Sequence, residues 1–93
     1  MIVIWYRHHG QLPSETNVIR EDANKASTLP SSFEVVGVQY GRRVSNDEFD
    51  RNQFALRVEP PSDNMSQDAI DSIATAFEDN WGGSIDFVES VQL

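Results

Sequence analysis

Ser66-Gln67-Asp68-Ala69-Ile70-Asp71-Ser72-Ile73-Ala74-Thr75-Ala76-Phe77-Glu78-Asp79-Asn80-Trp81-Gly82-Gly83 is the stretch that decides the architecture. Ala69, Ile70, Ile73, Ala74, Phe77 and Trp81 recur at three- and four-residue spacing, which puts them on one face of a helix. Ser66 stands where an N-cap hydroxyl is wanted, and Asp68 falls in the first turn, where the helix dipole favours an acid. Gly82-Gly83 supplies a left-handed terminator. A helix is therefore expected from Ser66 to about Trp81.

Working outward, the segment after it alternates. Ile85, Phe87, Val91 and Leu93 are expected on one side of a strand, with Asp86, Ser90 and Gln92 on the other. Upstream, Phe54, Leu56 and Val58 alternate with Gln53, Ala55, Arg57 and Glu59, and Pro60-Pro61 stops that strand. Phe33 to Tyr40 is a further strand, and Gly41 to Arg51 a long loop, basic at Arg42 and Arg43 and acidic afterwards. Ile2 to His8, β-branched and aromatic, reads as a buried strand ended by Gly10 and Pro13. Ser14 then caps a helix through about Thr28, with Val18, Ile19, Ala23 and Ala26 as a thin apolar stripe. The order β-α-β-β-α-β is that of an α+β, ferredoxin-like domain, an antiparallel four-stranded sheet with two helices on one face. If residues 14–28 are irregular, the fallback is an antiparallel sheet with the single helix from the second half of the chain.

Ninety-three residues make one domain, 1–93. Hydrophobic residues at 39% and charged residues at 24% place the chain among globular proteins. The absence of cysteine excludes disulfides, thiolate metal centres and cysteine nucleophiles. Only five consecutive apolar residues follow Met1 before Arg7, too few for a signal core or a membrane span, so a cytoplasmic protein is expected.

Charge is the strongest compositional feature. The net charge is −8, and it is unevenly spread. Residues 1–43 are near neutral, whereas residues 44–93 set only Arg51 and Arg57 against eleven acids. Such a surface repels nucleic acid and anionic membrane and attracts basic protein surfaces. Solubility alone also favours net charge, and Lys25 is the single lysine, as in salt-adapted proteins.

Motifs for chemistry are missing. There is no P-loop, dinucleotide fingerprint, serine elbow or zinc-protease motif. His8 and His9 are adjacent on a strand and point to opposite faces, so they cannot chelate one ion together. The acids at 47–50 and Asp63-Asn64 lack the ligand spacing of a calcium loop. No catalytic residue, metal ligand or cofactor is expected, and an enzyme is disfavoured. RNA-recognition domains share the element order, but Asn52-Gln53-Phe54-Ala55-Leu56 keeps only Phe54 and Ala55 of their base-stacking strand.

Two features point to a protein partner. If helices cover one face of the sheet, the other carries Trp5, Val38 and Tyr40, extended by Val3, Ala55 and Val88, a patch suited to an interface or to a homodimer. The acids Asp68, Asp71, Glu78 and Asp79 lie on the outer side of the second helix, spanning about 15 Å from Asp68 to Glu78. With Asp47, Glu48, Asp50 and Asp86 they present spaced negative charges resembling a phosphate backbone. In size and charge the chain resembles anti-CRISPR proteins and other phage-encoded DNA mimics, with no motif matched. What this implies is an inhibitor or adaptor that covers a basic nucleic-acid-binding protein. An immunity protein against a basic toxin is a close variant. The different class is a dimeric small-ligand or enzymatic domain with a pocket near Tyr6, His8 and Trp81.

Overall fold

The computed structural model describes residues 1–10, 34–59, 66–80 and 84–93. Four strands and one helix fall within them: β1 (Ile2–His8), β2 (Glu34–Arg43), β3 (Phe49–Glu59), α1 (Gln67–Asn80) and β4 (Ile85–Gln92). The strands form one antiparallel sheet in the order β2-β3-β1-β4. The helix expected over residues 14–28 lies outside the described residues, as does Trp81. The observed architecture is thus the sheet with one helix.

α1 begins as its sequence dictates. The Ala69 amide donates to Ser66 Oγ at 3.2 Å, and the Ile70 amide to the Ser66 carbonyl. Ile70, Ala74 and Phe77 are buried against Ile2, Ile4 and Tyr6 of β1, Phe54, Leu56 and Val58 of β3, Val35 of β2 and Ile85 of β4. Tyr6 is the hub of this core. Its ring stacks on Phe54 at 5.5 Å and meets Phe77 and Phe87 edge-on. Its hydroxyl donates to the Ala74 carbonyl at 2.9 Å, which satisfies the one polar atom burial would otherwise strand. Burial, and secondarily the nearby Glu78 carboxylate, hold the Tyr6 phenol far above its ordinary pKa, so it stays a neutral donor.

Three register shifts reassign side chains to faces; the one between Tyr40 and Arg42, at Gly41, puts Arg42 on the face opposite Tyr40. Val35 pairs with Val58, but Gly37 pairs with Arg57, so Val36 is an extra residue on β2. After it the parity of the strand is reversed, and Val38 and Tyr40 pack against the helix-side core. The patch expected from Trp5, Val38 and Tyr40 is therefore not formed. Trp5 lies on the opposite face with Val3 and Ala55. The bulge at Val88 acts likewise on β4: Trp5 pairs with Glu89 and Tyr6 with Phe87. Ser90 thus joins the helix side and Val91, opposite Val3, the open face, the reverse of strict alternation. Val88 is itself exposed.

The long loop expected over 41–51 is instead strand at both ends. Arg42 pairs with Asp50 and Arg43 with Phe49, leaving a short turn over 44–48 closed by the Val44 amide donating to the Glu48 carbonyl. Gly41 makes this possible. Its φ is +81°, and a Cβ there would stand 2.2 Å from Phe49 Cζ. Gly41→Ala is expected to destabilise the fold by about 1–2 kcal/mol, since the left-handed backbone is costly for any L side chain even if the Phe49 ring swings away. Gly37→Ala would meet only the Arg57 stem at an ordinary 3.6 Å and should stay within about 0.5 kcal/mol of the parent. Denaturant unfolding of both variants separates the two cases, and equal losses would show that the backbone at Gly41 is unstrained.

At the other end of the sheet the chain termini meet. The Leu93 amide donates to the Met1 carbonyl at 2.8 Å.

Candidate functional site

The acids expected to meet a partner divide into two groups once the fold is known. On the sheet, Asp50 pairs with Arg7 at 3.1 Å, Asp86 meets His9, and Glu89 pairs with Arg42, whereas Glu34 and Glu59, opposite each other on β2 and β3, meet no base among the described residues. α1 carries no base at all. Its four charged residues, Asp68, Asp71, Glu78 and Asp79, are all acidic. None forms an ion pair with a base among the described residues.

Two of the helix acids nonetheless have structural work. The Asp71 carboxylate accepts from the Ser90 hydroxyl at 2.9 Å and from the Gln67 amide at 2.9 Å. The Glu78 carboxylate accepts from the backbone amide of Phe87. Both fasten α1 to β4, and Glu78 also occupies a donor on an edge strand that would otherwise invite another strand. Ser72 and Thr75 turn their hydroxyls back to the carbonyls of Asp68 and Asp71. The carboxylates left facing solvent on α1 are thus Asp68 and Asp79. Asp71, Ser72, Thr75, Ala76 and Asp79 line a shallow depression beside them. Asp47 and Glu48 are exposed at the β2–β3 turn.

The open face of the sheet carries a network that sequence reading missed. Arg42 leaves β2, donates to Gln53 of β3 at 3.3 Å, passes 4.7 Å over the Trp5 ring of β1, and ends on Glu89 of β4. One side chain therefore touches all four strands. Gln53, only 4% exposed, donates onward to Asp50 at 2.9 Å, and Asp50 meets Arg7. The result is a polar lattice laid over Val3, Trp5 and Ala55, and Trp5 is left 9% exposed. No motif announces it, because the partners are distant in sequence and the bulges decide which face they share.

The Gln53 side chain and the Asn52 amide, with Arg7, hold the Asp50 carboxyl below the usual aspartate value. Its folded-state pKa thus lies under its unfolded one, so its contribution is complete above the unfolded value and is lost as pH falls through the folded value. Stability should decline as pH drops below about 4, and Asp50→Asn should flatten part of that decline in acid denaturation. A decline of the same depth in the variant would show that Asp50 contributes none of it.

His8 is the last residue of β1 and His9 lies just beyond it, and their rings reach different partners. The His8 ring nitrogens lie 3.0 Å from the Gly10 carbonyl and 3.1 Å from that of Arg51, while His9 reaches Asp86. No three His, Asp or Glu side chains converge as a metal site among the described residues. Around Tyr6, where the ligand-binding alternative needs space, the ring is enclosed by Phe54, Phe77 and Phe87. No helix among the described residues is long and apolar enough to cross a membrane. The chain matches no family model, no curated protein and no solved structure.

Proposed function

We propose that the protein covers a basic, nucleic-acid-binding surface of another protein, presenting the carboxylates of α1 where phosphates would lie. The observation that carries this reading is that all four charged residues of α1 are acids and none meets a base among the described residues, whereas three of the five sheet acids, Asp50, Asp86 and Glu89, do. Asp79 sharpens it. It stands exposed in the last turn, where the helix dipole disfavours an anion, and no base accompanies it there. A carboxylate kept where it costs stability is better explained by a partner than by the fold. The acids would steer encounter and set register on a positive groove. Such partners place the protein in the cytoplasm.

The strand order supports the finer, ferredoxin-like reading of the fold. β1 and β2 both run antiparallel to β3, so they are parallel to each other and not adjacent, and the chain between them must cross over. The stripe from Val18 to Ala26 suits a crossover helix.

The test is affinity capture from host lysate at low and high salt, repeated with Asp68→Lys/Asp79→Lys. These two are the proper choices because Asp71 and Glu78 fasten α1 to β4. Capture of a basic nucleic-acid-binding protein, lost with salt and with the double reversal, is the expected result. Asp79→Lys alone should leave the fold more stable by about 0.3–1 kcal/mol, so capture weakened in that single variant cannot be ascribed to unfolding, whereas Asp68→Lys removes a favourable first-turn acid and is read beside a thermal melt. A partner held equally by the double variant in high salt would end the mimicry reading.

A further inference from the structure

The β2–β3 hairpin end carries a further charged and apolar surface that is open among the described residues. Val44 and Phe49 are 49% and 51% exposed. Phe49 is not loose. The Cζ–Cε1 edge of its ring lies against Gly41, where a Cβ would collide with it, and about half of the residue is left open to solvent. Tyr40, Gly41, Phe49 and Arg51 line a groove beside it. Arg43 and Arg51 flank the apolar residues, and Asp47 and Glu48 follow on the turn. Arg43 donates to the Asn46 carbonyl, yet neither guanidinium pairs with a carboxylate among the described residues. Two cations and two anions thus sit within nine residues of one another without meeting.

A patch with an apolar centre and both signs of charge at its rim is complementary to itself under a two-fold rotation. The geometry points to this hairpin end as a homodimer contact, in which the Phe49 rings meet at the axis. Arg51 of each copy then pairs with Glu48 of the other, and Arg43 with Asp47. The edge of β4 is a poorer route, because Glu78 already occupies the Phe87 amide and the bulge at Val88 interrupts the strand. A hairpin-sized contact falls below the area of a permanent interface, so the dimer is a reversible one. It stands independently of what α1 binds.

Sedimentation of the full chain over a rising concentration series tests it. The mass is expected to move from one chain to two, with the shift weakened by high salt. Arg51→Glu should raise the dissociation constant by about tenfold, and adding Glu48→Arg should restore most of the loss by exchanging the charges across the axis. Phe49→Ser should abolish the dimer. Since Phe49 also covers Gly41, the exposed Arg51→Glu variant carries the test if the serine variant folds poorly. A single-chain mass at every concentration overturns the proposal. So does an assembly larger than two, a dimer indifferent to both substitutions, or a failure of Glu48→Arg to rescue.

Discussion

Phe77→Ala lowers the unfolding free energy by about 3–5 kcal/mol, the range for emptying a buried aromatic site. The reason is its position. Phe77 is 1% exposed and joins α1 to the sheet through the edge of the Tyr6 ring. Removing it leaves a cavity beneath the helix and takes a partner from the hub of the core. A domain of this size has only about 5–14 kcal/mol in total, so the variant should melt roughly 15–30 °C lower. Thermal unfolding followed by circular dichroism measures this directly. Ile73→Ala, at a half-buried position on the same helix, serves as the comparison. If the two variants lose the same amount, Phe77 does not anchor α1.

The second large effect belongs to the open face. Arg42→Ala should cost about 2–3 kcal/mol, because it removes a cation–π contact and strips the buried Gln53 of one partner. The ion pair with Glu89 adds little, as the Glu89 side chain is 48% exposed. A spectroscopic signature distinguishes this from a generic loss. Arg42 covers the indole of Trp5, so in a Trp81→Phe background the remaining tryptophan emission should shift to the red when Arg42 is removed. Arg42→Lys keeps the charge but not the planar group that lies over the ring and forks between Gln53 and Glu89, and should recover only part of the stability. An unchanged emission maximum in Arg42→Ala would show that the indole is sheltered by something else.

These two residues mark the limits of what the sequence discloses. Phe77 was legible because helical spacing is a local property: the apolar positions from Ala69 onward, the cap at Ser66 and the strand of Ile2–His8 all follow from residues a few places apart. Arg42 was not legible. Its partners Gln53, Trp5 and Glu89 are brought together by register, and register here contains three irregularities that alternation cannot reveal. Gly37 and Gly41, glycines inside a strand, hint at the two on β2, while Val88 gives no sign of the one on β4. The same cause misplaced Val38 and Tyr40. Among the acids, composition identified the negative half of the chain. It did not separate Asp71 and Glu78, which fasten the helix to β4, from Asp68 and Asp79, which do not. That distinction depends on which strand lies beside α1, a fact set by the sheet order.

The pairing of Leu93 with Met1 bears on how this module can be wired to others. Since β1 begins and β4 ends at neighbouring positions, any polypeptide attached at either side departs from one corner of the sheet. A fused tag or tether there keeps clear of the β2–β3 turn, which lies toward the opposite ends of these strands. The two ends could equally be ligated through a short spacer and the chain reopened between Val44 and Glu48, giving a permuted ring-order with the same sheet. Such a rearrangement converts the turn into free ends and would offer a handle for placing a reporter there.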